Sequence, residues 1–573
     1  MSLGFLARRG SEEFPRAFVP KDSDLGDWDQ IAPLLAQLEE RPLGDSPGFE
    51  RWLLDLSELQ AVIWEEGSRR YIAMTCHTDD ESHERRYLEF IEKIEPRLKP
   101  VWDRLNRKAL AARGLISGDG ERYSVFLRAI ENEVKLFREN NVPLQTEDEK
   151  LRQQYQKICG AMTVQFRGEE RTLPQMRRYL EETDRTVRQE AWEKMSERYL
   201  ADREALEEIF DNMIAIRHRM ACNAGYGNYR DYQHQALGRF DYTPDDCIAF
   251  QEAVEAEIVP LLSELAERRK QDLGLDSLRP WDLQVDPKGL PPLRPFETAA
   301  RLEEGCARIF HRIHPALGEQ FERMRTGGLL DLDSRKGKAP GGYQSTLEEL
   351  RLPFIFMNAV GTDRDLETLL HEGGHAFHAF ACREEPLVAY RSAPIEFCEV
   401  ASMSMELLAM PHIEEFYSSE DAARSRRMQI ERTIEVLPWI ATIDAFQHWV
   451  YLHPRHTHEE RAEAWLSIRQ RFSQPVDWSG YEESCEVLWH RQLHPFTCPL
   501  YYIEYGIAQI GALQLWLKSL EDREAALAGY RHALALGGSR PLPELFSAAG
   551  LRFAFDRETL APLGAKLRDA VGV

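Results

Sequence analysis

Helical periodicity dominates the first half of the chain. From about residue 48 to about residue 275, apolar side chains recur at three- and four-residue steps with Glu, Lys and Arg between them, as in Phe90, Ile94 and Leu98. That spacing places the apolar side chains on one face of an α-helix, and such a face must be buried against another element. The sequence therefore predicts a mainly α fold.

Two breaks in the helical pattern mark changes of structure. Between Thr163 and Leu173 the residues alternate around Gly168, which predicts a short β-hairpin. We place a border here between an N-terminal helical lobe, residues 1–165, and a second region, residues 166–573, and we expect the lobes to interleave. Prolines cluster between residues 276 and 296, which predicts an irregular segment before a helix that starts near Phe296.

A third change of pattern lies between Gly327 and Thr362. Glycine-rich loops surround a run of apolar residues from Pro353 to Asn358, so we expect a few strands there. Helical periodicity then resumes, and Thr362 and Asp365 have the spacing of a capping box, with Asp in place of Glu. The sequence thus predicts a helix that begins near Asp363, directly after the strands.

Composition excludes several classes of partner. The 573-residue chain carries 72 Lys and Arg against 96 Asp and Glu, a formal net charge of −24. Such a surface repels nucleic acid and anionic membranes, so we expect neither as a partner.

The sequence has no apolar run long enough for a bilayer, and its first basic residues follow an apolar patch, the wrong order for a secretory signal. With nine scattered cysteines and no C-x-x-C pair, these features predict a cytoplasmic location and reduced thiols.

The helix predicted after Thr362 contains an H-E-x-x-H pattern, His371-Glu372-Gly373-Gly374-His375. Residues four apart lie on one face of an α-helix, so the two imidazoles can converge on one ion. Catalytic zinc binds neutral imidazole nitrogen and keeps a position open for water, whose proton Glu372 can accept. The alternative is that both histidines are ordinary residues on the surface of the helix.

Two further features favour the metal interpretation. Gly373 and Gly374 each cost about 1 kcal/mol in a helix interior relative to Ala, so we expect them to allow close approach of another backbone. A second helix follows, in which Glu396, Glu399 and Glu406 recur beside an apolar face. A carboxylate from this helix, such as that of Glu399, is the natural third ligand.

These motifs closely resemble those of the thimet oligopeptidase and oligoendopeptidase F family of zinc metallopeptidases, and in particular the bacterial Pz-peptidase-like oligoendopeptidases. Residues 371–378 match the family's H-E-x-G-H-x-x-H core, and residues 396–406 match its E-x-x-S-M-x-M-E helix. The resemblance implies a large two-lobed helical zincin-type metallopeptidase, with residues 166–573 as the catalytic region. A small β-sheet beside the active-site helix and a deep substrate channel are also implied.

The resemblance also implies a reaction. One zinc ion per chain is held by His371, His375 and Glu399, and a water on the metal, activated by Glu372, attacks internal bonds of short unstructured oligopeptides. The implied donors to the developing oxyanion are His494, Tyr502 and Tyr505.

Two other residues of the helix are candidates for lesser roles. Glu367 lies four residues before His371 and is a candidate to orient an imidazole by a hydrogen bond, although a solvated charge is an equal alternative. His378 matches no ligand position of the family, so we expect it to be partly buried near the site.

Substrate-binding residues are implied by resemblance as well. Gly341, Gly342 and Tyr343 resemble the family's glycine-rich loop over the substrate. Phe356 belongs to a segment that resembles the strand at the edge of the cleft. We expect the Phe354–Asn358 strand to present an exposed edge, which can add a peptide by main-chain hydrogen bonds and predicts tolerance of varied substrate sequences.

Two other functions stay open. A helical zinc metallocarboxypeptidase uses the same H-E-x-x-H core but needs a basic residue to bind the terminal carboxylate of its substrate. A non-catalytic peptide-binding protein on the same fold has no use for the general base Glu372. The sequence lacks a G-x-S-x-G motif and a P-loop, and we expect Cys382 and Cys398 to be inert core thiols.

Overall fold

The computed structural model describes residues 12–116, 120–335, 337–339 and 341–572. The N-terminal patch that argued against a secretory signal lies outside these residues. The chain forms two compact units that alternate along the sequence. The first unit comprises Met1–Val142, Pro295–Ser418 and Gly511–Phe553, and the second comprises Pro143–Arg294, Ser419–Ile510 and Ala554–Val573. The lobe border at residue 165 stays a prediction.

The first stretch of the first unit is helical. Its α-helices are α1 (Trp28–Glu40), α2 (Ser46–Cys76), α3 (Glu81–Glu89), α4 (Glu95–Ala111) and α5 (Ser124–Leu136). The periodic residues Phe90, Ile94 and Leu98 are all buried in its hydrophobic core, as the sequence predicted. Trp52 lies in the same core and donates its indole N–H to the Leu38 carbonyl at 2.9 Å, which joins α2 to α1.

The first stretch of the second unit is also mainly helical. Its α-helices are α6 (Val142–Gly160), α7 (Leu173–Arg177), α8 (Arg185–Ala201), α9 (Arg203–Asn223), α10 (Tyr229–Ala236), α11 (Pro244–Glu257) and α12 (Val259–Asp272). Between α6 and α7, strands β1 (Thr163–Phe166) and β2 (Glu169–Thr172) pair antiparallel. Arg167 and Gly168, which connect them, both have positive φ, at 53° and 81°. A two-residue turn of this kind matches the twist of a hairpin, and the predicted hairpin is confirmed.

The second stretch of the first unit contains the H-E-x-x-H pattern. Its elements are α13 (Ala299–Ile313), α14 (Pro315–Gly327), β3 (Leu330–Asp333), β4 (Tyr343–Leu347), β5 (Leu352–Ala359), α15 (Asp363–Cys382) and α16 (Ile395–Ala409). Helix α13 begins three residues after the predicted Phe296, because the side chain of Thr298 caps it by accepting from the Arg301 amide at 3.2 Å. The start of α15 at Asp363 is as predicted.

Strands β3, β4 and β5 form a small mixed sheet in the order β3-β5-β4. β4 and β5 pair antiparallel with Tyr343 opposite Phe356, and β3 pairs parallel to β5 with Leu330 opposite Ile355. The expectation that the Phe354–Asn358 strand presents an exposed edge is therefore wrong, since both of its edges are paired. The expected position of the sheet is confirmed, because α15 packs on β5 and β4.

The remaining elements complete both units. They are α17 (Ser419–Leu452), α18 (His458–Phe472), α19 (Glu482–Glu486), α20 (His494–Thr497), α21 (Ile503–Glu521), α22 (Arg523–Ala535), α23 (Leu542–Ala548) and α24 (Arg557–Val571). Long helix α17 packs against α11, α18 and α24 in the core of the second unit. In the described part of the chain, no helix is long and apolar enough to cross a membrane.

Candidate metal centre

Helix α15 holds the two histidines of the H-E-x-x-H pattern. Its start is fixed by a capping box in which Thr362 accepts from the Asp365 amide at 3.2 Å, and the Asp365 carboxylate accepts from the Thr362 amide at 2.8 Å. From that start, the helical repeat carries His371 and His375 to the same face. Their rings lie 5.0 Å apart, centre to centre, at an angle of 82°.

Helix α16 brings Glu399 to these imidazoles. Its Oε2 lies 3.4 Å from His371 Nε2 and 3.5 Å from His375 Nε2. Four ligands about 2.0–2.2 Å from zinc in tetrahedral geometry are themselves roughly 3.3–3.6 Å apart. Two imidazoles and a carboxylate at these separations fit zinc both in donor type and in spacing.

Gly374 explains how α15 and α16 come so close. A Cβ at this position would lie 2.5 Å from Ser402 Cα and 2.6 Å from the Ala401 carbonyl oxygen, both backbone atoms of α16. At Gly373 an added Cβ would instead lie 2.6 Å from Cζ of the Phe310 ring. The predicted close backbone approach is thus confirmed for Gly374, while Gly373 makes room for a side chain.

Hydrogen bonds fix the orientation of two of the three candidate ligands. Glu406 Oε1 lies 2.6 Å from His371 Nδ1, which leaves Nε2 of that ring facing Glu399. Ser402 donates its hydroxyl to Glu399 Oε2 at 2.9 Å. Glu406 was part of the matched motif, but its role was not recognised. The signal for it is its place seven residues after Glu399, two helical turns along the same face. The orienting role of Glu367 stays a prediction.

The ionisable side chains of the centre shift one another's pKa values. Burial acts to lower the pKa of His371, but hydrogen bonds and charge from Glu399 and Glu406 outweigh it and raise that pKa well above its usual range. Burial acts to raise the pKa of Glu399, yet His375 and His371 hold it well below its usual range. The carboxylates of Glu399 and Glu406 therefore favour positive charge on the His371 imidazole, which lies close to both.

Glu372 and His378 also lie on α15, and the charge of His375 acts on both. Glu372 is 7% exposed, and burial raises the pKa of its carboxyl. His378 is 4% exposed, so it is more completely buried than the sequence led us to expect. Burial lowers the pKa of His378 to about 4, and its Nε2 makes no hydrogen bond within the described residues.

Cysteines near the centre have the properties of core thiols. Cys382 and Cys398 are buried, and burial raises the pKa of both, that of Cys398 to about 12. All nine cysteines of the chain lie within the described residues, and none forms a disulfide.

Two other groups of metal-binding residue types occur in the second unit. Cys247, Asp444 and His448 form one, but Asp444 already accepts from the Gln251 amide at 2.7 Å, and the charges of Arg230 and Arg239 act on His448. The other is Glu207, Asp211 and His458, and both of its carboxylates are paired with Arg461. Neighbouring cations make both groups poorer metal sites than the one on α15 and α16.

The candidate substrate loop leads into β4. The Asn358 amide donates to the Gly341 carbonyl at 3.0 Å and thereby ties the loop to the end of β5. Tyr343 lies within 2.6 Å of the Thr75 hydroxyl, and its ring stacks on Phe356 with 4.9 Å between centres. A Cβ added at Gly342 would lie 3.4 Å from the Phe356 carbonyl oxygen, so the backbone of Gly342 lies close to β5 as well. Phe356 is 0% exposed, so its ring packs against the Tyr343 ring and does not face solvent.

The candidate oxyanion donors form a group of their own in the second unit. His494 Nε2 lies 3.3 Å from the Tyr505 hydroxyl, and the His494 ring lies 4.8 Å from that of Tyr502, centre to centre. Tyr502 is buried, while His494 and Tyr505 are partly exposed. Gln492, which the sequence did not single out, contacts both His494 and Tyr502.

A family model described as peptidase family M3 matches residues 178–565. The chain belongs to peptidase family M3. This match covers more than half of the chain, including α15, α16 and the His494–Tyr505 segment. It confirms the resemblance inferred from the two motifs.

Individual relatives agree with the M3 assignment. Group B oligopeptidase PepB of Streptococcus agalactiae is 25% identical over 40% of this chain and 36% of its own length. An oligoendopeptidase F homologue of Borreliella burgdorferi is 23% identical over 64% of this chain and 62% of its own length. The matched regions thus span less than two thirds of these curated relatives.

Solved structures support the fold over nearly the whole chain. The structure of Pz peptidase A, determined with an inhibitor, is 28% identical with a TM-score of 0.91 and covers 97% of this chain and 99% of its own. The mainly helical peptidase fold expected from the sequence is therefore confirmed.

Proposed function

We propose that this M3 family member is a zinc-dependent endopeptidase that hydrolyses internal bonds of short unstructured oligopeptides. One observation carries the proposal: the donor atoms of His371, His375 and Glu399 all lie within 4.8 Å of one another, and the charges of these residues act on the buried carboxylate of Glu372. The names of the relatives, oligopeptidase and oligoendopeptidase, support the substrate class. The cytoplasm stays the predicted location.

The donor set suits one zinc ion per chain. His371 and His375 offer imidazole nitrogen and Glu399 offers a carboxylate oxygen, the ligand types found in catalytic zinc sites with a position left open. When bound, zinc supplies a Lewis acid that polarises the scissile carbonyl and favours ionisation of water. Glu406 keeps the His371 ring turned so that Nε2 is the binding atom. The Ser402 hydroxyl holds the Glu399 carboxylate in place by donating to its Oε2.

Glu372 is the proposed general base. Its carboxylate takes a proton from the attacking water and then returns it to the amine that leaves. A buried carboxylate suits this role, because burial raises its pKa and so favours the protonated form that Glu372 takes between the two proton transfers.

His494, Tyr502 and Tyr505 are the proposed oxyanion stabilisers, the role that the family resemblance implies for them. His494 and Tyr505 present an imidazole and a phenol 3.3 Å apart, and Tyr502 lies against the same ring. Groups that donate to the carbonyl oxygen as negative charge develops there lower the barrier more than they stabilise the bound substrate.

Strand β4 is the proposed docking edge for the peptide backbone. Among the described strands it pairs with β5 on one side only, whereas β5 is paired on both sides. Main-chain hydrogen bonds to β4 would read the substrate backbone and tolerate varied side chains, with Tyr343 and the loop from Gly341 at its start.

Digestion of a peptide mixture tests this function. Peptides of about five to twenty residues are incubated with the purified chain, and the products are mapped by mass spectrometry. We expect internal cuts that are lost with a chelator and with Glu372→Gln. Cuts confined to the C-terminal residue would indicate a carboxypeptidase, and bound but intact peptides would indicate a non-catalytic binding protein.

A further inference from the structure

Five side chains of the second unit form a connected cluster around Gln492. Trp439 comes from α17. His494 begins α20, with Gln492 two residues before it, and Tyr505 lies in the first turn of α21, with Tyr502 directly before that helix. This group, the Gln492 cluster, surrounds the imidazole that the proposed function places at the developing oxyanion.

Trp439 determines which way the Gln492 amide points. The indole Nε1 lies 2.9 Å from Gln492 Oε1 and can only donate a hydrogen bond, so an amide oxygen must face it. The Tyr502 hydroxyl donates to the same oxygen at 3.3 Å. Two donors on one side thus fix the amide oxygen there and turn the amide nitrogen to the other side.

The amide nitrogen in turn determines which nitrogen of His494 carries a proton. Gln492 Nε2 lies 2.7 Å from His494 Nδ1. An amide nitrogen has hydrogens and no lone pair to offer, so Nδ1 must be the acceptor. In the neutral ring the proton then resides on Nε2, the atom that lies 3.3 Å from the Tyr505 hydroxyl.

We propose that Gln492 is a positioning residue that holds His494 in its Nε2–H tautomer, so that the imidazole is a ready hydrogen-bond donor. This inference rests on the proposed function, which assigns His494 to the oxyanion. With the proton on Nδ1, Nε2 would present a lone pair to the negatively charged oxygen and repel it. The fixed tautomer therefore removes a proton rearrangement before catalysis.

Other contacts hold the backbone of this segment independently of Gln492. Arg217 donates to the carbonyls of Pro495, at 2.9 Å, and of Phe496. Gln447 accepts from the Leu500 amide at 2.6 Å, and Arg239 donates to the Leu500 carbonyl at 2.5 Å. Because these bonds hold the chain directly after His494 and up to Leu500, a substitution at Gln492 can change the tautomer without displacing His494.

Neutron diffraction of the deuterated protein tests the tautomer directly. In the wild type we expect a deuteron on Nε2 of His494 and none on Nδ1. Gln492→Glu keeps the shape and still accepts from Trp439, but its carboxylate also accepts from the ring, so a deuteron should appear on Nδ1. A deuteron on Nδ1 in the wild type, or an unchanged Nδ1 in the variant, would overturn the proposal.

Kinetics of Gln492→Met provide the functional readout. Methionine fills a similar volume but donates nothing to Nδ1, so kcat should fall by about 10- to 100-fold with KM little changed, less than the roughly 10²- to 10³-fold loss on removing an oxyanion donor itself. The matched control is Gln271→Met, at an exposed position of α12 where the amide donates to Glu267. Equal kcat values in the two variants would contradict the positioning role.

Failure of the two proposals can be told apart. An inactive wild type with its deuteron on Nε2 would refute the peptidase function and leave the tautomer assignment standing. An active wild type with the deuteron on Nδ1 would refute the tautomer assignment alone.

Discussion

Glu372→Gln is expected to abolish peptide hydrolysis without loss of metal. Gln has the size and hydrogen-bonding shape of Glu but cannot accept a proton, so only the general-base step is removed. General acid–base catalysis contributes up to about 10⁴-fold, and kcat should fall by an amount of that order. Zinc content should stay at one per chain, because His371, His375 and Glu399 are unchanged. The measurement is kcat on one defined peptide together with metal analysis.

The exposed Glu524→Gln on α22 is the matched control and should behave as the wild type. If Glu372→Gln retained activity within about tenfold of wild type, Glu372 would not be the base. If zinc were lost as well, the variant would report a disturbed metal centre instead of a missing proton acceptor.

Gly374→Ala is expected to disrupt the contact between α15 and α16. The added methyl group would lie 2.5 Å from Ser402 Cα and 2.6 Å from the Ala401 carbonyl oxygen. These are backbone atoms of a helix, so no side-chain rotation can relieve the overlap and the helices must separate. Overpacking of this kind costs about 1–3 kcal/mol or more in folding free energy. Glu399 lies two residues before Ala401, so zinc binding should weaken at the same time.

Gly373→Ala provides the comparison for this prediction. There the three atoms nearest the methyl group all belong to the Phe310 ring, a side chain and not helix backbone, so the loss of stability and of zinc should be smaller. The measurements are the thermal unfolding midpoint of the metal-free protein and zinc content after dialysis. Equal values for the two variants would contradict the role of Gly374 in bringing the helices together.

Local signals predicted the elements of this fold well. The three- and four-residue spacing placed Phe90, Ile94 and Leu98 in a core, and the capping box at Thr362 located the start of α15. Gly168 marked a hairpin because a tight two-residue turn needs positive φ. In each case the determining interaction lies within a few residues along the chain.

Features that depend on residues far apart in the sequence were harder to predict. The segment around Phe356 was expected to be an edge strand, but β3, more than twenty residues earlier, pairs in parallel with it and leaves β4 at the edge. Nothing in the alternation of β5 reveals which neighbours it has. Full burial of His378 likewise depends on elements packed around α15 and not on its own spacing.

The same difference between local and distant interactions decides which residues of the candidate site could be predicted. The three candidate metal ligands could be singled out because two lie four residues apart on one helix and the third belongs to a motif of the next. Glu406 was within that motif, but its hydrogen bond to His371 depends on how α15 and α16 cross. Gln492 was missed because its role depends on Trp439, which precedes it by 53 positions and lies on another helix.

Anomalous X-ray scattering at the zinc absorption edge, from crystals of the purified protein, would locate the metal itself. We expect one strong peak per chain, equidistant within error from His371 Nε2, His375 Nε2 and a Glu399 carboxylate oxygen. No peak at that point, or a peak only at Cys247, Asp444 and His448, would contradict it.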